Sequence, residues 1–304
     1  MKNFKYLSLI VCIALFSNHF YGQENSAYSF NSENLLEHVK ELASDAYEGR
    51  RTGTAGANMA KEYIINHLKT IEFGPLDGNY EQMFKFGKGK KTYKGVNVLG
   101  YVRGTEQPEK HIVLSAHYDH EGIKNGVIYN GADDDASGVS ALFAFAEYFK
   151  KHPPKHSVIL AFFDAEELGL QGSKYYVANP IVPLDAIVLN INMDMVSRNV
   201  NNELYAVGIK SHPNLEAVYK NHKIVEGLTL IAGHDGTDRK DNWTYSSDHA
   251  SFAKVKIPFV YFGVEDHEDY HKPTDDYENI HPVFYKNAVE SIIRFFEKID
   301  KMTF

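Results

Sequence analysis

The segment IVLSAHYDH, residues 112–120, joins a short apolar run to a histidine, His117. Apolar runs of this length, rich in β-branched residues, are typical of buried strands. Four further polar residues also follow apolar, strand-like segments: Asp134, Glu167, Asp194 and His271. Because ligands gather outside the carboxyl ends of the strands in α/β sheets, we expect these five side chains to form one site.

The composition of the chain is that of an ordinary globular protein. Its 304 residues are 43% hydrophobic and 24% charged, which is enough for a large core. The formal net charge of −8 argues against a general nucleic-acid surface, so no nucleic-acid partner is expected.

The first residues resemble an export signal. Lys2 and Lys5 precede an apolar stretch at residues 7–16 that is too short to span a bilayer, and Gly22 offers a small residue for cleavage. We therefore predict a signal peptide at residues 1–22 and a periplasmic or secreted protein; an uncleaved membrane anchor is the alternative. Later apolar runs are too short to span a membrane, so no stable insertion is expected after cleavage.

The single cysteine, Cys12, lies within this predicted signal. The mature chain would therefore contain no disulfide, no cysteine nucleophile and no thiolate metal ligand. Any bound metal would have to be held by histidines and carboxylates.

Strand-like and helix-like patterns alternate along the rest of the chain. Strands are predicted at residues 112–116, 158–163 and 186–192, and amphipathic helices at residues 137–150 and 283–301. This alternation predicts an α/β fold in which helices cover both faces of a sheet. We found no internal repeat or long linker, so one catalytic domain at residues 23–304 is the simplest organisation.

The motif HYDH begins at His117. A metal-bound imidazole usually donates its second N–H to a carboxylate or carbonyl, and Asp119 is placed to accept it. We therefore include Asp119 among the candidate catalytic residues. A solvated loop histidine beside an aspartate is the alternative interpretation.

The motif GADDDASG, residues 131–138, is the most specific one in the sequence. Its three adjacent carboxylates repel one another unless a cation or a helix N-terminus compensates for them. Helix capping needs only one aspartate. We predict that Asp134 bridges two metal ions, whereas Asp133 and Asp135 shape the turn.

The motif DAEELG, residues 164–169, places paired glutamates after an apolar strand. Adjacent carboxylates can divide the work, one binding metal and the other transferring protons. Glu166 is the predicted general base and Glu167 the predicted ligand. A charged surface turn is the alternative.

Two further motifs complete the candidate site. Asp194 lies between two methionines in INMDMVSR, which is unusual for a surface carboxylate. His271 follows Tyr270 in DYHKPTDD, and the tyrosine could donate to a developing oxyanion or simply pack. Two histidines and three carboxylates suit a pair of divalent metals, with zinc as the first choice.

In combination, these motifs resemble the M28 family of zinc peptidases, which includes aminopeptidases with two zinc ions. HYD, GADDDASG, AEELG, NMDM and YHKPTDD follow one another in the family's order, and residues 42–64 resemble its lead-in. The resemblance implies a three-layer α/β/α fold with a mixed, mostly parallel sheet. The spacing between Gly56 and His117 leaves no room for the protease-associated domain inserted in some members.

The resemblance also implies a ligand set and a substrate class. One zinc ion would be held by His117, Asp134 and Asp194, and the other by Asp134, Glu167 and His271. Glu166 matches the family's general base, and Tyr270 matches a tyrosine that assists the oxyanion in some members. The implied substrates are peptides with a free N-terminus.

Two alternatives remain at this point. Glutaminyl cyclases, which transfer an acyl group within the substrate, resemble the chain in HYD, the paired glutamates and the last histidine. They typically use one zinc ion and have tryptophan where this chain has Tyr270. The second alternative is a non-catalytic binding relative, a class that loses metal ligands.

Overall fold

The computed structural model describes residues 28–223 and 225–304. The predicted signal peptide at residues 1–22, with Cys12, lies outside the described residues. Within the described ranges, none of the helices is long and apolar enough to cross a membrane.

Eight strands form a central mixed sheet, and two short strands form a separate hairpin. In sheet order, the eight are β1 (Glu81–Lys88), β2 (Lys91–Val102), β6 (His156–Phe163), β3 (Gln107–His117), β7 (Ile187–Met193), β10 (Phe259–Gly263), β8 (Glu203–Val207) and β9 (Thr229–Ala232). The hairpin consists of β4 (Gly122–Lys124) and β5 (Val127–Tyr129).

The centre of the sheet is parallel. Strand β3 pairs in parallel with both β6 and β7, and β7 pairs in parallel with β10. The β8–β9 pair is also parallel, whereas the β1–β2, β2–β6 and β10–β8 pairs are antiparallel. The carboxyl ends of β3, β6, β7 and β10 therefore lie along one edge of the sheet.

Seven α-helices accompany the sheet in the described part of the chain. They are α1 (Ser32–Leu42), α2 (Ala55–Thr70), α3 (Gly138–Lys151), α4 (Gln171–Ala178), α5 (Pro213–Lys220), α6 (His249–Lys254) and α7 (Pro282–Ile299). Helix α3 stops just before Pro153 and Pro154, where the missing proline N–H groups prevent its continuation.

Alternation of side chains along the strands gives the sheet two apolar faces. On β3, Leu114 belongs to the larger core and Val113 to the smaller one; on β6, Leu160 and Ile159 divide in the same way. Side chains of α1, α2, α3, α5 and α7 line the larger core, and side chains of α4 and α6 line the smaller one. The prediction of a three-layer α/β/α fold with a mixed, mostly parallel sheet is confirmed.

Some elements differ from the sequence-based expectation. Strand β9 and the β4–β5 hairpin were not predicted, because strands of three or four residues carry too little periodicity. Between Gly56 and His117 the chain forms α2 and the first three strands, which occupy the interval where an inserted domain would lie.

Arg50 connects three segments that support the sheet edge. It is fully buried. Its guanidinium donates to the backbone carbonyls of Leu42, Tyr118, Asn130 and Gly131. The side chain therefore ties the end of α1 to the segment after β3 and to the two residues before the acidic turn Ala132–Ser137.

We expect Arg50→Lys to lower the free energy of unfolding by about 3 kcal/mol, because one ammonium group cannot serve four separate carbonyls. Chemical denaturation of the metal-free protein measures this loss. Arg51→Lys is the matched control, since Arg51 is partly exposed and contacts Glu121 at 3.3 Å. Equal losses in the two variants would contradict the role given to Arg50.

The fully buried His249 makes stability depend on pH. Burial lowers the pKa of its imidazole to about 4, despite a hydrogen bond to the backbone carbonyl of Trp243. The unfolded chain binds this proton near pH 6.5, so acidification favours unfolding as pH falls from about 6.5 to 4. The contribution amounts to about 3 kcal/mol over this window.

We expect His249→Gln to show a shallower fall in unfolding free energy between pH 7 and 4.5 than the wild type, measured with chelator present. His152→Gln, at an exposed position, is the control. Parallel pH profiles for wild type and His249→Gln would refute this assignment.

Candidate metal centre

The end of strand β3 places His117 at the sheet edge, where its side chain is almost fully buried. Its Nδ1 lies 2.9 Å from the backbone carbonyl oxygen of Asp119. The carboxylate of Asp119 is farther away, at 3.7 Å. The expected contact between the two residues is therefore present, but it is made through the main chain.

The carboxylate of Asp119 instead supports the paired glutamates. It accepts the backbone N–H of Glu166 at 2.9 Å and that of Glu167 at 3.4 Å. Thr52 donates to the same carboxylate at 3.2 Å. Asp119 therefore fixes the segment after β6 relative to the end of β3.

The acidic turn, Ala132–Ser137, holds its three aspartates in different ways. Asp133 accepts hydrogen bonds from the backbone and hydroxyl of Ser197 and contacts His267 Nε2 at 2.9 Å. Asp135 accepts backbone N–H groups from His117, Gly138 and Met195. These contacts agree with the prediction that Asp133 and Asp135 shape the turn.

Asp275, in the segment that also carries His271, anchors the same turn. Its carboxylate accepts the backbone N–H groups of Asp133 at 2.9 Å and Asp134 at 3.0 Å. The side chain of Asp134 is thereby left to face the cavity.

Asp134 lies between two imidazoles. Its Oδ1 is 3.1 Å from His117 Nε2, and its Oδ2 is 3.1 Å from His271 Nε2. The other predicted ligands complete two groups. Asp194 Oδ1 lies 3.5 Å from His117 Nε2, and Glu167 Oε1 lies 3.5 Å from His271 Nε2.

Positive φ angles occur at or near three of the predicted ligands, Glu167, Asp194 and His271. Ala165 has φ 62°, Met195 has φ 59° and His271 has φ 53°. Non-glycine residues adopt this conformation at a cost of order 1 kcal/mol or more, and such residues cluster at functional sites. The surrounding fold holds the ligand-bearing segments in this unfavourable geometry.

Burial and the close contacts shift the pKa values of the carboxyl groups of Asp134, Glu167 and Glu166. Burial opposes ionisation of Asp134, but His120, His117 and His271 outweigh it and hold its pKa well below the usual range. Burial also opposes ionisation of Glu167, as does the charge of Asp134; the close imidazoles of His120 and His271 nevertheless lower its pKa to about 2. Glu166 differs, because burial raises its pKa well above the ordinary value.

A cavity of about 580 Å³ opens over the predicted ligands. The ring of Tyr270 stacks on His271 with centroids 3.9 Å apart and lines this cavity. Asp241, Asn242 and Trp243 also line this cavity.

Other candidates have mainly supporting positions. Arg198 forms ion pairs with Glu268 and Asp269. Asp248 is fully buried; burial raises its pKa to about 7, although the charge of His117 opposes the shift.

His120 was missed by the sequence analysis, although HYDH contains it. Its fully buried ring places Nδ1 2.9 Å from Glu167 Oε1. It follows the end of β3, so strand alternation could not indicate its direction. The adjacency to His117 and Asp119 was the one available signal.

The donor set suits zinc. Two donor atoms on a tetrahedral zinc ion, each about 2.0–2.1 Å from the metal, lie roughly 3.3 Å apart. The four distances from His117 and His271 to the carboxylates range from 3.1 to 3.5 Å. Two groups have candidate donor atoms within 4.8 Å of one another: His117 with Asp135 and Asp194, and His120 with Asp134 and Glu167.

Curated relatives share part of the chain. A protein from Caenorhabditis elegans named glutamate carboxypeptidase 2 homolog is 32% identical over 62% of this chain and 24% of its own length. A probable zinc metalloprotease from Pyrenophora tritici-repentis is 39% identical over 41% of this chain and 27% of its own length. The matched region spans about a quarter of the length of these two relatives.

Solved structures show the same fold. Glutaminyl cyclase from Porphyromonas gingivalis superposes with a TM-score of 0.72 and 18% identity, covering 90% of this chain and 100% of that one. A zinc aminopeptidase from Bacillus subtilis has a TM-score of 0.70 and 16% identity, covering 89% and 95%. At these identities the similarity concerns the fold alone.

The family profile described as Peptidase family M28 matches residues 97–296, which include all five predicted ligands and Glu166. This family and the names of the relatives support a zinc-dependent peptide hydrolase. The chain therefore belongs to peptidase family M28.

Proposed function

We propose that this protein is an aminopeptidase that binds two zinc ions and removes N-terminal residues from peptides. The observation that carries the proposal is the position of Asp134, whose two carboxylate oxygens each lie 3.1 Å from a different histidine. A carboxylate in this position can serve two ions at once.

The first ion would be held by His117, Asp134 and Asp194, and the second by Asp134, Glu167 and His271. When bound, the ions polarise the substrate carbonyl and lower the pKa of a water molecule. They would also neutralise the crowded carboxylates of the cavity.

Glu166 is the proposed general base. It lines the cavity beside Glu167, and its backbone is fixed by Asp119. Burial raises the pKa of its carboxyl group, and the charges of Asp194 and Asp248 raise it further, against the effect of His117. A base with a raised pKa can accept a proton from the attacking water and return it to the leaving amine.

Tyr270 is the proposed donor to the developing oxyanion. Burial raises the pKa of its hydroxyl group, and the charges of Asp134 and Asp194 raise it further. The phenol therefore stays protonated at neutral pH and retains its hydrogen for donation.

The acidic walls of the cavity support recognition of a free α-amine. Besides the proposed ligands, Glu166, Asp241 and Asp266 contribute carboxylates to the lining, whereas Lys88 contributes a cationic side chain. A protonated amine would be attracted to this negative environment. The same attraction favours peptides with unblocked N-termini.

A glutaminyl cyclase is the second candidate, favoured by the structural similarity of 0.72 in TM-score. The presence of the full aspartate triplet and of Tyr270 supports the peptidase instead. The non-catalytic alternative has less support, since the five proposed ligands and Glu166 are all present.

We further propose that residues 23–304 form one catalytic domain and that the protein is exported to the periplasm or the medium. Export is supported by the charged and apolar pattern of residues 1–22.

We expect Glu166→Gln to lower kcat by about 10²- to 10⁴-fold while zinc content stays near that of the wild type, because the amide cannot accept the proton. Turnover of a peptide substrate and metal analysis on the same sample measure both quantities. Glu62→Gln, on the exposed side of α2, is the control. A fully active Glu166→Gln variant would exclude Glu166 as the base.

A peptide panel tests the type of activity. We expect cleavage of peptides with a free N-terminus and at least about tenfold less cleavage of N-acetylated copies, because the acetyl group removes the positive charge. Loss of the C-terminal residue would instead indicate a carboxypeptidase. Ammonia release from N-terminal glutaminyl peptides without cleavage would indicate a cyclase.

A further inference from the structure

His120 lies at the second metal group but is not among the five predicted ligands. Its side chain is fully buried at the end of β3. Among the residues that the structure describes, neither ring nitrogen has a hydrogen-bond partner. A buried imidazole without a partner is costly, so this ring calls for an explanation.

The neighbours of His120 Nδ1 are atoms of the proposed second zinc site. Glu167 Oε1 lies at 2.9 Å and Asp134 Oδ2 at 3.6 Å. His271 Nε2 lies 3.1 Å from the same Asp134 oxygen and 3.5 Å from the same Glu167 oxygen. Three histidine or carboxylate side chains therefore surround the region that His120 faces.

These four distances have the size expected around one ion. Donor atoms at about 2.0–2.1 Å from a tetrahedral zinc ion are separated by roughly 3.3 Å. The four measured separations range from 2.9 to 3.6 Å. Four of the six separations that a tetrahedral site requires are therefore of the expected size.

A direct hydrogen bond between His120 and Glu167 does not account for the contact. Glu167 Oε1 is itself without a hydrogen-bond partner in the described part of the chain, despite its 2.9 Å separation from Nδ1. Two unpartnered buried atoms at this distance are better explained by a shared cation.

The chain also fixes the position of the ring. Gly131 has φ 61°, and a Cβ atom added there would lie 2.5 Å from His120 Cγ and 2.1 Å from the backbone oxygen of Asp134. The imidazole is thus packed against the first residue of GADDDASG and cannot turn away in that direction.

We infer that His120 is a fourth protein ligand of the second zinc ion, together with Asp134, Glu167 and His271; this inference rests on the proposed two-zinc function. Four protein ligands make a closed site, whereas three leave a position for water or substrate. The second ion would then be held firmly, and the open position would belong to the first ion, beside Glu166.

The test compares zinc affinity in His120→Leu and His120→Asp. Leucine fills similar space without a donor atom, whereas an aspartate oxygen stands as many bonds from Cα as Nδ1 does. We expect His120→Leu to bind the second zinc ion at least about 100-fold more weakly, in a chelator competition, and His120→Asp to stay within about tenfold of the wild type.

Cobalt substitution gives a readout that does not depend on activity. We expect the visible absorption of the second bound cobalt ion to weaken in His120→Leu, since more than one water can enter the space of the imidazole and a five- or six-coordinate cobalt ion absorbs less than a tetrahedral one. His249→Leu is the matched control, because His249 is equally buried but contacts the backbone of Trp243. Should the leucine variant fail to fold, His120→Asn, with its weakly binding neutral oxygen, takes its place.

The outcomes separate this inference from the proposed function. If His120→Leu binds two zinc ions with wild-type affinity and the same cobalt spectrum, the inference is wrong and the two-zinc peptidase stands. A wild-type protein that binds fewer than two ions would contradict both. A two-zinc wild type that does not act on free N-termini would contradict the aminopeptidase proposal alone.

Discussion

The unequal use of three adjacent aspartates is the constraint on which the site depends. The carboxylate oxygens of Asp133 and Asp135 accept hydrogen bonds from hydroxyl and backbone donors, and the carboxylate of Asp275 accepts backbone N–H groups of the turn itself. Only Asp134 is left to face both histidines. Like charges in one turn would repel one another, so the hydrogen bonds make the triplet possible and select its middle member.

Compensation of negative charge extends beyond the turn. Arg50 lies buried behind it and binds the carbonyls of Asn130 and Gly131 rather than a carboxylate. Its cation still acts through space on Asp134, Asp275, Asp135 and Asp119, whose charges oppose the loss of its proton. One fixed guanidinium cannot balance so many carboxylates, which is why the cavity favours further cations.

The sequence was informative wherever apolar runs ended in a polar residue. Such a pattern placed His117, Glu167 and Asp194 at one sheet edge, where the structure brings them together, and their metal binding stays a prediction. Arg50 and His120 could not be found in this way. Arg50 donates to backbone carbonyls, and such contacts do not depend on the identity of the accepting residue. His120 lies beyond the end of the strand, where the turn determines the direction of the side chain.

The site also depends on both ends of the described chain. Arg50 precedes every strand, whereas His271 and Asp275 follow the last one, and the backbone of Ala132 donates to the carbonyl of Asp275. A nascent chain therefore carries the complete set of proposed ligands only after His271 has been synthesised. For an exported peptidase, as proposed above, this order of assembly would delay proteolytic activity until the segment after β10 has been synthesised.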